Sequence, residues 1–190
     1  MSKSATQSIG VFCASSLGDL AEFRAAAVDL GEKLAQRDIA LVCGGGSGGL
    51  MGALIHASAS NGGRVIGVVP QDFIDDERPS CLLSELHIVK SIKERKESIV
   101  DLSDSLIALP GGVGTIDEIF ATLAAIKLGV VRKPFGILNV MGYYDIVDHL
   151  FDVMIDNGFA KEKHKKIYII EQSVSKLLDS LETRMLAPPN

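Results

Sequence analysis

Apolar residues along this chain follow two alternating patterns. Short, mainly apolar runs occur at Ile9 to Ala14, Ile39 to Cys43, Val65 to Val69, Leu86 to Val89, Leu106 to Leu109, Phe135 to Asn139 and Ile167 to Ile170. Each predicts a strand covered on both faces. Between the runs, apolar residues recur at spacings of three and four, as at Leu20, Phe23, Ala27, Leu30 and Leu34. That spacing predicts an amphipathic helix over Leu20 to Arg37. Further helices are predicted over Leu50 to Ser60, Ser91 to Ser103, Thr115 to Leu128, Tyr144 to Asn157 and Val174 to Met185. Asn61-Gly62-Gly63, Gly129 and Gly158 stand where helices should stop. Strands and helices alternate throughout, which predicts an α/β fold with a mainly parallel sheet of about seven strands and helices on both sides. This is a Rossmann-like three-layer sandwich. Residues 71–84, with Asp72, Asp75, Asp76, Glu77, Arg78 and Pro79, read as a long loop, and Lys161 to Lys166 as a basic one. No repeat or linker interrupts the pattern, so residues 1–190 read as a single domain, with 1–8 and 187–190 frayed.

The most informative stretch is Ser105 to Phe120. An apolar run is stopped by Pro110, followed by Gly111, Gly112 and Gly114, and then by a predicted helix opening at Thr115. A strand, a glycine turn and a helix start together make an anion cradle, because glycines expose backbone N–H groups and the helix start adds unpaired donors and a positive dipole end. Glu118 lies one turn further on. Thr115 and Glu118 fit a capping box, Thr-x-x-Glu, which would stabilise the helix and do nothing else. They also fit a carboxylate placed in a phosphate-binding crevice, near the sugar of a phosphorylated ligand.

Two other stretches bear chemistry. Gly44, Gly46 and Gly49 have the G-x-G-x-x-G spacing between a strand and a helix, with Asp72 after the next strand. That is the dinucleotide spacing, and its bland counterpart is a tight turn with no ligand. In Lys93-Glu94-Arg95-Lys96, Arg95 falls on one stripe with Ile92, Ile99 and Leu102. An arginine on the core-facing side needs an anionic partner, and this helix starts at the sheet edge that carries the glycines. Both glycine clusters and Ser15-Ser16 follow strand carboxyl ends, where ligands of such sheets bind.

Composition narrows the classes. Net charge is −5, which disfavours a nucleic-acid backbone as partner. No apolar run approaches the roughly 18 residues of a membrane span, and the polar start MSKSATQS lacks a signal-peptide core. Cys13, Cys43 and Cys81 are odd in number and lack metal spacing, so Cys13 and Cys43 read as small buried hydrophobes in a reducing cytoplasm. No metal and no cofactor are expected.

Pro110 to Glu118 resembles the P-G-G-x-G-T-x-x-E signature of the LONELY GUY family, cytokinin riboside 5′-monophosphate phosphoribohydrolases often mislabelled as lysine decarboxylases. Phe12 to Ser16 resembles the family's F-C-G-S-S, Gly44 to Gly52 its G-G-G-x-x-G-L-M-G, and Arg95-Lys96 its R-K. Leu128-Gly129, Lys133-Pro134 and Asn139 to Tyr144 are similar to its L-G, K-P and N-v-x-G-Y-Y. The resemblance covers nearly the whole chain. It implies hydrolysis of the N-glycosidic bond of a nucleoside 5′-monophosphate, giving free base and ribose 5-phosphate. It implies Arg95 and Glu118 as catalytic residues, and a substrate-binding set of Ser16, Gly45, Gly46, Lys96, Gly111, Gly112, Gly114 and Thr115. It also implies a homodimer, in keeping with Ile119, Phe120, Leu123, Ala124, Ile126 and Leu128, a segment apolar almost all round. The chain departs from the family pattern at Cys43, Ile92, Lys93, Ala125 and Lys127, the parts expected to touch the base or a partner subunit. The rival readings are a non-catalytic nucleotide carrier or sensor on the same fold, and a dinucleotide oxidoreductase resting on Gly44, Gly46, Gly49 and Asp72.

Overall fold

A computed structural model describes residues 7–74 and 79–186. Asp75, Asp76, Glu77 and Arg78 of the expected long loop, and residues 1–6 and 187–190 of the expected frayed ends, lie outside the described residues. Ser8, expected to be frayed, opens the first strand instead. Its backbone N–H and hydroxyl both donate to the Asp104 carboxylate, at 2.8 and 3.0 Å.

Strands β1 (Ser8–Phe12), β2 (Ala40–Cys43), β3 (Val65–Pro70), β4 (Glu85–Val89), β5 (Ser105–Ala108), β6 (Phe135–Leu138) and β7 (Ile169–Glu171) form one sheet in the order β4-β3-β2-β1-β5-β6-β7. Every pairing between these strands is parallel. The helices are α1 (Ala21–Gln36), α2 (Gly49–Ser60), α3 (Ile92–Asp101), α4 (Val113–Lys127), α5 (Asp145–Asp156) and α6 (Val174–Leu186). The expected basic loop is in part a 3-10 turn, Glu162–Ile167, which delays the last strand to Ile169.

The two sheet faces carry separate apolar cores. Leu30 and Leu34 of α1, Leu54 and Ile55 of α2, and Leu177 and Leu181 of α6 pack on one face. Ile99 of α3, Ile119 and Leu123 of α4, and Phe151 of α5 pack on the other. Strand β4 departs from the two-sided burial expected of it. It is a sheet edge, and its Leu86 and Ile88 are 43% and 53% exposed. Among the described residues no helix is long and apolar enough to cross a membrane.

The topology fixes where a ligand can enter. From β1 the chain builds outward through β2, β3 and β4, then returns past β1 to place β5, β6 and β7 on the other side. The connections leaving β1 and β5 therefore diverge at their carboxyl ends and open a crevice there.

Candidate active site

That crevice has a volume of about 600 Å³, which suits a ligand the size of a mononucleotide. Its walls are Ser15 and Ser16 after β1, Gly46 to Gly48 after β2, and Gly112 to Thr115 after β5. Arg95 enters from the first turn of α3 and Glu118 from the second turn of α4. Ser16, Gly46, Arg95, Gly112, Gly114, Thr115 and Glu118 thus share one cavity, whereas Gly45, Lys96 and Gly111 are not part of its lining.

The capping box does not form. Helix α4 starts at Val113, with Gly112 as N-cap and no side-chain cap. Glycine gives that position an extended backbone, φ −84° and ψ −156°, so the helix opens two residues earlier than Thr115. Thr115 is the third helical residue and is buried against Gly111, where an added Cβ would lie 2.1 Å from its Oγ1. Glu118 is therefore too far along to cap anything.

Packing explains Gly111 but not its neighbours. A Cβ on Gly112 or Gly114 would meet no atom within 4 Å, and neither residue has positive φ. The first-turn N–H groups of α4 have no intrahelical acceptors, and they lie at the positive end of the dipole. Open space beside two glycines at a helix start is what an anion requires.

The second glycine loop serves another purpose. The N–H groups of Leu50 and Met51, at the start of α2, donate to the carbonyls of Ser16 and Ala14 at 3.1 and 3.2 Å. Gly49 is left-handed, φ 61°, and a Cβ there would sit 2.2 Å from the Ser15 carbonyl carbon. This helix start is filled by the β1–α1 loop, so it cannot also hold a pyrophosphate. Asp72 lies exposed in a 3-10 turn, Gln71–Phe73, away from the crevice lining. The dinucleotide reading loses both its supports. Gly45 faces away from the crevice, its carbonyl accepting the Ser80 N–H at 2.9 Å.

Charge in the crevice is divided between two walls. The Arg95 guanidinium lies against Gly44, where a Cβ would be 2.9 Å from Nη2. Burial pushes the Cys13 thiol well above its ordinary range, helped by Cys43 and by the Glu118 carboxylate, while Arg95 opposes the shift. Cys43 is pushed up to about 11 by burial, again opposed by Arg95. Both thiols stay protonated near neutral pH and are poor nucleophiles. The fields of Arg95 and Glu118 thus meet at Cys13 on the crevice floor. Just outside, Lys96 Nζ pairs with the Asp117 carboxylate at 2.7 Å. Two adjacent dipeptides, Arg95-Lys96 and Asp117-Glu118, so face each other across α3 and α4. Among the described residues no group of three or more His, Cys, Asp or Glu could hold a metal ion.

A sequence profile described as "Possible lysine decarboxylase" matches residues 51–181. The probable cytokinin riboside 5'-monophosphate phosphoribohydrolase LOG4 of Oryza sativa subsp. japonica is 42% identical over 176 residues, covering 92% of this chain and 76% of its own. The chain belongs to the LONELY GUY (LOG) family. The cytokinin riboside 5'-monophosphate phosphoribohydrolase LOG3 of Arabidopsis thaliana is 38% identical over 182 residues, covering 96% and 85% of the two chains. The molybdenum cofactor carrier protein of Chlamydomonas reinhardtii superposes with a TM-score of 0.71 at 20% identity, covering 96% of this chain and 99% of that one. That likeness is one of fold alone.

Three LOG-like motifs, Phe12 to Ser16, Gly44 to Gly52 and Pro110 to Glu118, adjoin the crevice. Of the departures from the LOG pattern, Cys43 is fully buried under Gly44, while Ile92, Lys93 and Lys127 are exposed and Ala125 is half-buried. Sequence reasoning gave no role to Tyr143 and Tyr144, which reach the Pro110 turn from the connection after β6. The signal was their place in the segment Asn139 to Tyr144 that is similar to the family's N-v-x-G-Y-Y.

Proposed function

We propose that this protein hydrolyses the N-glycosidic bond of a nucleoside 5′-monophosphate, of the cytokinin riboside or AMP class, to free base and ribose 5-phosphate. The observation that carries the reading is a carboxylate, Glu118, half-buried in a crevice whose wall is also an open helix N-terminus. Relatives named as phosphoribohydrolases, about two-fifths identical over nearly the whole chain, support it.

In this reading the 5′-phosphate sits at the start of α4, on Gly112, Gly114 and Thr115, with Gly111 beneath them. Ser16 and Gly46 form the opposite wall, backed by Gly45. The glycosidic C–N bond breaks, the base leaves with the electron pair and takes up a proton, and water adds its hydroxyl to the anomeric carbon. Positive charge grows on the sugar as the bond breaks, and Glu118 offsets it and orients the attacking water. Arg95 holds the substrate's charged end through its planar fork of donors. Lys96, paired with Asp117, holds α3 and α4 together beside them.

The protein acts as a cytoplasmic homodimer. On α4 and the residues that follow it, Leu128 and Val130 are 75% and 77% exposed, apolar surface that a second copy would cover. Incubation with AMP, followed for free adenine and ribose 5-phosphate, tests the activity. Adenine release in step with ribose 5-phosphate supports it. Tight nucleotide binding with no release would turn the reading to the non-catalytic carrier.

A further inference from the structure

The Pro110-Gly111 turn is held by its carbonyls. The Leu109 carbonyl accepts the Tyr144 hydroxyl at 2.7 Å. The Pro110 carbonyl accepts the Ala14 N–H at 3.2 Å. The Gly111 carbonyl accepts the Tyr143 hydroxyl at 2.7 Å. Three consecutive acceptors are thus engaged by three donors. None of the described peptide bonds is cis, and in a trans peptide N–H and C=O point in opposite directions. Fixing the Pro110 and Gly111 carbonyls therefore also fixes where the Gly111 and Gly112 N–H groups point.

The two tyrosines are themselves aimed by a strained turn. After β6, Asn139 accepts the Tyr144 N–H at its Oδ1, at 2.7 Å, and donates through Nδ2 to Asp145 at 2.6 Å. Between them Met141 and Gly142 are both left-handed, φ 53° and 76°. A non-glycine residue in that region costs on the order of 1 kcal/mol or more and persists only where its surroundings impose it. Met141 is 69% exposed, so burial does not repay the strain. What the turn achieves is to present consecutive side chains to one loop. Tyr144 is fully buried, and its hydroxyl is accounted for by the need of a buried donor for a partner. Tyr143 is 41% exposed. Its hydroxyl could be served by water, yet it is spent on the carbonyl that sets the Gly112 N–H.

We infer that Tyr143 is a positioning residue, which holds the Gly111–Gly112 peptide so that the Gly112 N–H is presented to the phosphate of a phosphorylated sugar. This rests on the phosphate reading of the α4 start. Tyr143 does not line the crevice and acts only through the peptide.

Tyr143→Phe tests it. The variant keeps the ring and its edge-on packing against Phe23, at 5.4 Å between centroids, and loses only the hydroxyl. Binding of ribose 5-phosphate is measured by calorimetry, with a thermal melt and hydrogen exchange at the Gly112 amide. Affinity should fall roughly fivefold to tenfold, the range of one hydrogen bond. Gly112 should exchange faster and the Tm should move by no more than about 2 °C, because Tyr143 is 41% exposed and water can take the place of its hydroxyl. With a nucleotide substrate, KM should rise by the same factor while kcat changes less than about twofold. Equal ribose 5-phosphate affinity in variant and wild type overturns the inference, as does a wild type that does not bind ribose 5-phosphate. Loss of affinity in Tyr143→Phe, in a wild type that releases no base from any of a panel of nucleoside 5′-monophosphates, leaves the positioning role standing and removes the hydrolase reading instead.

Discussion

Replacing Glu118 by Gln removes one negative charge and keeps the length and shape of the side chain. The residue is in the second turn of α4, beyond any capping position, and Gln and Glu have nearly equal helix propensity. The backbone carbonyl of residue 118 keeps its bond from the Thr122 hydroxyl, 2.7 Å in the wild type. Stability should therefore change by less than about 1 kcal/mol, or a few degrees in Tm. The effect on chemistry follows from Coulomb's law. A full positive charge about 4 Å from a carboxylate, at an effective dielectric constant of about 20, gains about 4 kcal/mol. The sugar carries part of a charge in the transition state, and a share of about two-thirds gives roughly 2.7 kcal/mol, a hundredfold in rate. The assay is base release from the best nucleotide substrate, paired with thermal melts. A second readout is independent of substrate. The Glu118 charge helps to hold the Cys13 thiol up, so removing it should lower the Cys13 pKa and speed its alkylation at alkaline pH. A folded Glu118→Gln protein with wild-type turnover would refute the reasoning.

Other outcomes follow from the same geometry. Arg95→Ala should abolish turnover with the fold intact, and Arg95→Lys should restore under a tenth of it, because a point charge does not replace a planar fork; near-full activity in the lysine variant would contradict the two-pronged role. Gly114→Ala and Gly49→Ala should separate binding from folding. The first has free space for its Cβ and should melt normally while losing ribose 5-phosphate binding; the second drives a Cβ into Ser15 and should lose roughly 3 kcal/mol or more in urea unfolding. The Tyr168 hydroxyl and Lys165 hold the Asp148 carboxyl below its ordinary range, so its contribution is complete above the unfolded value, about 3.9, and is lost as pH falls through the folded one. Asp148→Asn should flatten the fall of Tm below about pH 4, and an unchanged acid limb would contradict that linkage. Light scattering at micromolar concentration should give twice the chain mass, and a monomer would remove the dimer.

Local pattern carried the element types well, because buried parallel strands and amphipathic helices have different periods. It also located the connections that line the crevice, since glycine clusters stand where strands end. It missed features that depend on neighbours distant in sequence. The order of the strands, and with it the exposed Leu86 and Ile88 of an edge strand, has no local signature. Thr115 and Glu118 imitated a cap because Thr-x-x-Glu is also what a cap looks like; only Gly112 in an extended conformation moved the helix start. The partner of Lys96 sits on α4, far along the chain, so a residue read as a substrate ligand is found pairing with Asp117. The fingerprint glycines were visible, but that Ser16 and Ala14 occupy the N–H groups of α2 was not.

The most direct test of the central reading is base release from a panel of nucleoside 5′-monophosphates beside the matching nucleosides. A phosphate cradle at the start of α4, together with a carboxylate one turn further on, should make cleavage depend on the 5′-phosphate. At least one monophosphate should then give base and ribose 5-phosphate in equal amounts, and its nucleoside should react at least a hundredfold more slowly. No release from any monophosphate, or equal release from nucleoside and nucleotide, would contradict it.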